Sequence, residues 1–385
     1  MNIKQQIKKL LAKKTMYIHS ASDRFNYGDL LFPYIVNHYF KDIVDNIVFC
    51  STTKSDLTNR GALKTDDFQV LQEMKPSRYN ILMVAGGECI FCEWKDILGY
   101  VREETESADE MLAPTRYPFT IAKQELPHLD VLLYNSVGCH QLDEREDLYA
   151  NVQNQAIMKT ADYVSVRDST TSSGMNRLHV QHYCYPDSAI LMSQVFGSGY
   201  LQERTSQDVK KVQEKPYLFF QIGLVHLKHW AGDFAEILSR IAEEKNINIC
   251  LCPIGTALGH DDPVALGRIA ELMPANTYTM IENPSIWDIM NLIGQAEIYV
   301  GSSLHGAITA MSYNRPLIAF GPRKLQTYIE TWYDTEGSEY SFVSIDNLER
   351  RVKQRLDSKF TISAERQMSL VRESFSRMRK KIRYW

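Results

Sequence analysis

A chain of 385 residues with a formal net charge of -4 is too weakly charged to stay disordered and too acidic to hold nucleic acid non-specifically. Its length exceeds what one compact core serves comfortably, so two domains are expected. The seven cysteines, odd in number and without paired spacing, exclude a disulfide framework and fit a reducing compartment, and no apolar run reaches membrane-spanning length. The expected location is therefore the cytoplasm.

In chain order, Met1 to Lys14 sets Ile3, Ile7, Leu10 and Leu11 against a lysine-rich side. This predicts an amphipathic helix that packs on the protein, with peripheral contact to an anionic membrane surface as its other use. Thr15–His19 is a first strand, Ser20–Asp29 a polar turn, and Leu30 to Tyr39 a helix with Pro33 in its first turn. Within the turn, Gly28 permits a close backbone approach, Asn26 fixes the bend and Asp29 caps the helix. Arg24, a cation beside a helix start, calls for an anion or an acid partner.

Asp45–Cys50 and Asn80–Ala85 are further strands, the second running into Gly86-Gly87-Glu88 at the carboxyl edge where open sheets bind ligands. A third glycine at the right offset is missing, so this is no dinucleotide fingerprint. Cys89 and Cys92 have the spacing of half a zinc site but lack a second pair, and no metal is expected. Arg102–Tyr117 reads as an acidic surface excursion or lid. After the strands Leu129–Tyr134 and Ala161–Val166 comes Arg167-Asp168. Arg167 there presents a fork to a phosphate or carboxylate, or pairs with Asp168. Asp187, in the turn Tyr185–Ala189, is carried toward the cleft. Gly197–Glu214 has the polar composition of a linker.

From Lys215 the pattern restarts, with strands at Tyr217–Gln221, Ile247–Leu251, Tyr278–Ile281 and Ala296–Val300 and helices between them. The fourth strand ends in Ser302-Ser303-Leu304-His305-Gly306. Ser302 or Ser303 is the N-cap of the helix that follows, and the free N–H groups of its first turn suit an anion. His305 donates to that anion, acts as acid or base, or only satisfies a hydrogen bond at the turn. Beyond it, Pro316–Phe320 and Phe342–Ile345 read as strands and Thr361–Trp385 as a basic helix that crosses back. The expected division is an N-terminal α/β domain over 1–205, a C-terminal one over 206–355 and the last helix over 356–385. Two Rossmann-like domains facing across a cleft would gather Arg24, Arg167 and His305 into one positive, proton-capable set.

Asn26-Tyr27-Gly28-Asp29, Gly86-Gly87, Ser165-Val166-Arg167-Asp168, Pro186-Asp187 and Ser302-Ser303-Leu304-His305-Gly306 with Ala310 stand in an order and spacing that resemble the polysaccharide pyruvyltransferase family. That family is similar in architecture to the two-domain GT-B glycosyltransferases. The chain departs from it at Ala85-Gly86-Gly87-Glu88, where many relatives carry a longer glycine run. The resemblance implies transfer of pyruvate, as a ketal, from phosphoenolpyruvate to hydroxyls of a saccharide or lipid-linked glycan, without redox cofactor or obligatory metal. It makes His305 the acid, Arg167 the holder of phosphate or carboxylate, and Asp29 or Asp187 a proton acceptor or sugar contact. Arg24, Asn26, Gly28, Gly86, Gly87, Ser302, Ser303 and Gly306 complete the expected binding set. Two alternatives stand beside it: a GT-B glycosyltransferase using a nucleotide sugar, with Glu282 as the ribose contact, and a non-catalytic glycan-binding protein.

Overall fold

The computed structural model describes residues 12–99, 114–333, 343–358 and 363–383. Two parallel sheets organise them. The first holds β1 (Lys14–His19), β2 (Asn46–Cys50), β3 (Tyr79–Val84), β4 (Gly87–Glu88), β5 (Leu129–Gly138), β6 (Tyr163–Val166) and β7 (Tyr183–Cys184), in the order β2-β1-β3-β5-β6-β7 with β4 against β5. The second holds β8 (Tyr217–Gln221), β9 (Asn248–Leu251), β10 (Tyr278–Met280), β11 (Ile298–Gly301) and β12 (Leu317–Ala319), in the order β10-β9-β8-β11-β12. Strands such as β3 and β11 are buried at every residue, as parallel sheets covered on both faces require. Strand order reverses between β1 and β3 in the first sheet and between β8 and β11 in the second. Crevices beyond the carboxyl ends at such reversals are where open α/β sheets take ligands.

The helices that matter here are α1 (Tyr27–Phe40), α2 (Ser169–Arg177), α3 (Ala231–Lys245), α4 (Asp262–Ala270), α5 (Ile286–Gln295), α6 (Leu304–Ser312), α7 (Arg323–Trp332), α8 (Ile345–Ser358) and α9 (Glu365–Arg383). One apolar core runs from Met16 and Ile18 of β1 through Leu31 and Ile35 of α1 to Ile308 and Met311 of α6 and Phe219 of β8. The two sheets therefore share a core where α1 meets α5 and α6. The loops at the carboxyl ends are stitched as well. Tyr27 N–H donates to the Ile254 carbonyl at 3.0 Å, Thr256 N–H to that of Phe25 at 3.0 Å, and the Tyr27 hydroxyl lies 3.1 Å from that of Thr309. Helix α9 lies on the first sheet, with Val371, Phe375 and Met378 buried and the Ser374 hydroxyl 3.0 Å from that of Tyr163.

Several local expectations change. Helix α1 begins at Tyr27, which puts Pro33 inside it rather than in the first turn. The missing N–H leaves the Asp29 carbonyl without its intrahelical donor, and burial of Leu30, Leu31, Phe32, Ile35 and Val36 outweighs that loss. The segment read as a linker folds into two short helices, Ser198–Arg204 and Gln207–Val212, and the first packs on α5. Ile345 opens α8 instead of closing a strand; among the described residues of that segment, the Val343 N–H reaches the sheet, donating to the Ala319 carbonyl at 2.9 Å. Most of the N-terminal amphipathic segment and of the acidic excursion Arg102–Tyr117 lies outside the described residues. Among the described residues no helix is long and apolar enough to cross a membrane.

Candidate active site

Both sheet reversals open into one cavity of about 420 Å³. The β1–α1 loop contributes Arg24, Asn26 and Asp29; the end of β3 contributes Gly86, Gly87 and Glu88; the end of β8 contributes Gln221, Gly223 and His226; and the β11–α6 turn contributes Ser302 to His305. His140, Arg167, His260, Asp262 and Lys324 complete the ionisable part of the wall.

On the first-sheet side, Arg167 is 1 % exposed and enclosed by carboxylates. Its Nη2 meets Glu88, its Nη1 lies 3.5 Å from Asp187 Oδ2, and its Nε 3.7 Å from Asp168 Oδ2. Burial opposes the guanidinium charge, but Glu88, Asp187 and Asp168 together raise its pKa above the ordinary value. Burial likewise opposes ionisation of Glu88 and Asp187. Arg167, His140 and Lys324 overcome it at Glu88, His305 and Arg167 overcome it at Asp187, and both carboxyls end below their usual range. Gly138 makes the arrangement possible, since a Cβ there would stand 2.6 Å from Arg167 Nε. Sequence reading passed over Gly138.

His305 lies in the first turn of α6, with Nε2 3.4 Å from Asp187 Oδ2 and its ring edge-on to Phe32 at 5.4 Å. Of the two serines, Ser303 is the N-cap: its hydroxyl accepts from Gly306 N–H at 3.3 Å. Ser302 is tied to the neighbouring strand end. Its N–H donates to the carbonyl and side-chain oxygens of Gln221, and its hydroxyl accepts from Gly223 N–H at 3.3 Å. Gln221 in turn donates to Asp262 Oδ2 at 2.9 Å, which also accepts from Ile254 and Gly255 N–H at 3.0 Å. Burial nonetheless pushes the Asp262 carboxyl up to about 7 against those donors.

The glycines serve the protein's own side chains rather than open space. A Cβ on Gly28 would fall 1.8 Å from His305 Nδ1, one on Gly86 2.7 Å from the Phe32 ring, and one on Gly306 2.3 Å from the Tyr299 hydroxyl. Gly28 was expected to admit a ligand; the imidazole already fills that approach. Gly87, with φ +95°, sits 3.1 Å by the same measure from Asp29 Oδ1. Asp29 does not cap α1 but accepts from Asn26 Nδ2 at 2.7 Å, and both face the cavity. Arg24 finds the acid partner that its position demanded: Nη2 lies 2.8 Å from Asp23 Oδ1, and Nη1 donates to the Ile97 carbonyl at 3.1 Å. Asp187 departs from expectation. Fully buried behind His305 and Arg167, it does not line the cavity, because its other oxygen accepts from Ala189 N–H at 2.9 Å to start a 3₁₀ turn. Glu282 is exposed and also off the cavity wall.

Two Rossmann-like domains facing across a cleft, with the polar residues gathered at their strand ends, define a GT-B-like protein. Solved structures agree at the level of the fold. The UDP-GlcNAc 2-epimerase of Methanocaldococcus jannaschii is 10% identical with TM-score 0.58, over 94% of this chain and 99% of that one. MnaA of S. aureus, solved with UDP, is 12% identical with TM-score 0.55, over 93% and 91%. The UDP-N-acetylglucosamine 2-epimerase of Rickettsia bellii is 14% identical with TM-score 0.55, over 96% and 95%. No curated protein is significantly similar to the chain in sequence. The family model for polysaccharide pyruvyl transferase matches residues 26–323. The chain belongs to that family and is a transferase.

Proposed function

We propose that the protein transfers pyruvate from phosphoenolpyruvate to two hydroxyls of a saccharide or lipid-linked glycan, forming a cyclic ketal. The observation that carries this reading is His305. It stands in the first turn of α6, where both sheet reversals meet, and is backed by a buried carboxylate 3.4 Å away. Asp187, held ionised by Arg167 and His305, orients the imidazole, as a carboxylate behind a catalytic histidine does. The imidazolium gives its proton to the methylene carbon of the donor. The first sugar hydroxyl attacks the electron-poor carbon that results, and its proton restores the histidine. The second hydroxyl then displaces phosphate, which leaves with the last proton as the ring closes.

In this reading Arg167 takes the donor carboxylate on the edge that Glu88 occupies here, while Asp168 and Asp187 hold the rest of the guanidinium. Glu88 already accepts from His140 Nδ1 at 2.9 Å and keeps that partner on turning away. Asp29 and Asn26, hydrogen-bonded to each other on the cavity wall, are in this reading the contacts of the acceptor sugar.

The test incubates the protein with phosphoenolpyruvate and a panel of lipid- and nucleotide-linked glycans, reading phosphate release and the ketal by mass spectrometry. His305→Gln is expected to lower the rate by about 10²–10⁴-fold, the usual worth of a positioned acid, with folding intact. Consumption of a nucleotide sugar without use of phosphoenolpyruvate would turn the reading to a glycosyltransferase.

A further inference from the structure

The loops on either side of His305 come from different sheets, and one buried side chain holds both. Asp262 opens α4, a place where an aspartate ordinarily stands in water and eases the helix dipole. Here it is 1 % exposed. Asp261 before it lies in the left-handed region at φ +49° and turns the chain so that the next carboxylate points inward.

Three N–H donors converge on one oxygen, Oδ2: Gln221 Nε2 at 2.9 Å and the Ile254 and Gly255 amides at 3.0 Å each. They lead in two directions. A carboxylate can only accept, so Gln221 gives it the amide hydrogens and turns its own oxygen to the Ser302 N–H at 3.2 Å. Ser302 accepts in turn from Gly223, and Ser303 beside it caps the helix whose first turn carries His305. Ile254 and Gly255 lead to the loop of the other sheet. The Ile254 carbonyl accepts from Tyr27 N–H at 3.0 Å, Gly255 bridges to Asn26, and Thr256 N–H donates to Phe25 at 3.0 Å. Gly28, in the same loop, is where a side chain would overlap the His305 ring. A residue needed only to fill this space would be apolar, since burying a carboxylate is costly. What the carboxylate adds is an acceptor that gathers donors from two loops.

We infer that Asp262 is a positioning residue, which sets through these two arms the loops that flank His305 and so the place of its imidazole. This role deepens the pyruvyl-transfer reading and rests on it for what His305 does; the arms are testable without it. Ionisation of Asp262 strengthens both arms, because hydrogen bonds to a charged acceptor are about twice as strong as neutral ones. Burial, with Asp261 adding to it, pushes the carboxyl up to about 7 against its three donors. The other titratable groups around it are His226 and His260, which flank it at Gly223, with Tyr299 of β11 and Cys252 after β9. Oδ1 has no hydrogen-bond partner among the described residues and takes the proton as the pH falls, leaving Oδ2 its donors in weaker bonds. Asp262→Asn reproduces that neutral state at every pH.

The experiment makes two measurements on the full chain. Hydrogen-exchange mass spectrometry at pH 8 follows residues 24–28 and 298–306. Gln221→Leu, which cuts one arm, is expected to speed exchange about tenfold in 298–306 and to leave 24–28 unchanged, whereas Asp262→Ala speeds both. Transfer kinetics from pH 5.5 to 8 then compare the wild type with Asp262→Asn. The ratio of their kcat values is expected to rise from about 1 at the acid end to about 5 at the other, with the KM for phosphoenolpyruvate unchanged. A residue that merely fills space gives a ratio that does not move with pH. Should Asp262→Ala misfold, Gln221→Leu and Asp262→Asn decide alone. Unchanged exchange in 298–306 with Gln221→Leu, faster exchange spread evenly over the chain, or a pH-independent ratio overturns the role. The expected exchange pattern in a protein that never uses phosphoenolpyruvate would sink the function and keep the role. Ketal formation by the wild type, with exchange unchanged in Gln221→Leu, would do the reverse.

Discussion

The two walls of the cavity hold comparable numbers of ionisable groups and treat them in opposite ways. On the first-sheet wall, Arg167 is compensated by Glu88, Asp168 and Asp187 before any ligand arrives. On the second-sheet wall, His226, His260 and Lys324 have no hydrogen-bond or ion-pair partner among the described residues, and acids act on them only at a distance. A cation that is already paired can only exchange one carboxylate for another, which gives orientation at little net gain. A cluster without direct partners keeps more of the interaction when an anion enters. The difference separates the group that positions a substrate from the groups that attract it.

The largest effect should come from breaking the paired wall. Arg167→Met leaves three carboxylates around a buried site without their cation, and removing one partner of a buried ionic set costs about 3–5 kcal/mol. A denaturant midpoint unchanged from wild type would show that these pairs do not hold the wall together. Next in size is Gly28→Ala. Its methyl would overlap the imidazole of His305, and displacing a catalytic group by about 1 Å costs about 10²-fold in rate. Transfer activity measured beside the thermal midpoint separates loss of placement from loss of fold. Full activity in this variant would remove His305 from the chemistry or show that the α1–α6 contact adjusts freely.

The pH dependence sharpens the same contrast. Glu88 and Asp187 titrate below the ordinary carboxyl range because of Arg167 and its neighbours. Their contribution to stability is complete above about pH 4–5 and is lost as the pH falls through the lowered values. Glu88→Gln should lower the midpoint above pH 6, where the carboxylate's contribution is fully present, and flatten the acid limb of a plot of thermal midpoint against pH. A limb that keeps its full slope would place the acid sensitivity elsewhere.

How much of this could be read from the sequence follows from what is local. Asn80–Ala85 and Ala296–Val300 declare themselves as unbroken apolar runs between turn residues, and Ser302–Gly306 shows an N-cap with a histidine behind it. Gly138 gave no such signal: a single glycine at a strand end acquires its purpose only from Arg167, which the fold lays across it. Asp187 was read as facing substrate because its turn ends at the cleft, yet the 3₁₀ turn that it starts rotates it behind the histidine. His226 stands between Val225 and Leu227, Lys324 follows Arg323 without a recognisable motif, and His260 lies in a loop that also holds two acids. Only the pairing of β8 with β11, and the return of the chain into α7, sets them on one wall.

The smallest expected effect tests whether pairing itself, rather than burial with pairing, makes the first wall rigid. Arg379 of α9 forks onto Asp42 with contacts of 2.6 and 2.5 Å, a geometry as complete as any at Arg167. Asp42, however, is 59 % exposed in its side chain. Water and salt screen the pair in the folded protein and solvate both ends when it breaks, so Asp42→Ala should cost less than about 1 kcal/mol. Helix α9 keeps its place through Val371, Phe375 and Met378 in any case. Chemical denaturation of Asp42→Ala beside Arg167→Met, at low and high salt, measures the two directly. A loss at Asp42 comparable to that at Arg167 would mean that fork geometry, and not the dry surroundings of the site, sets the energy of these pairs.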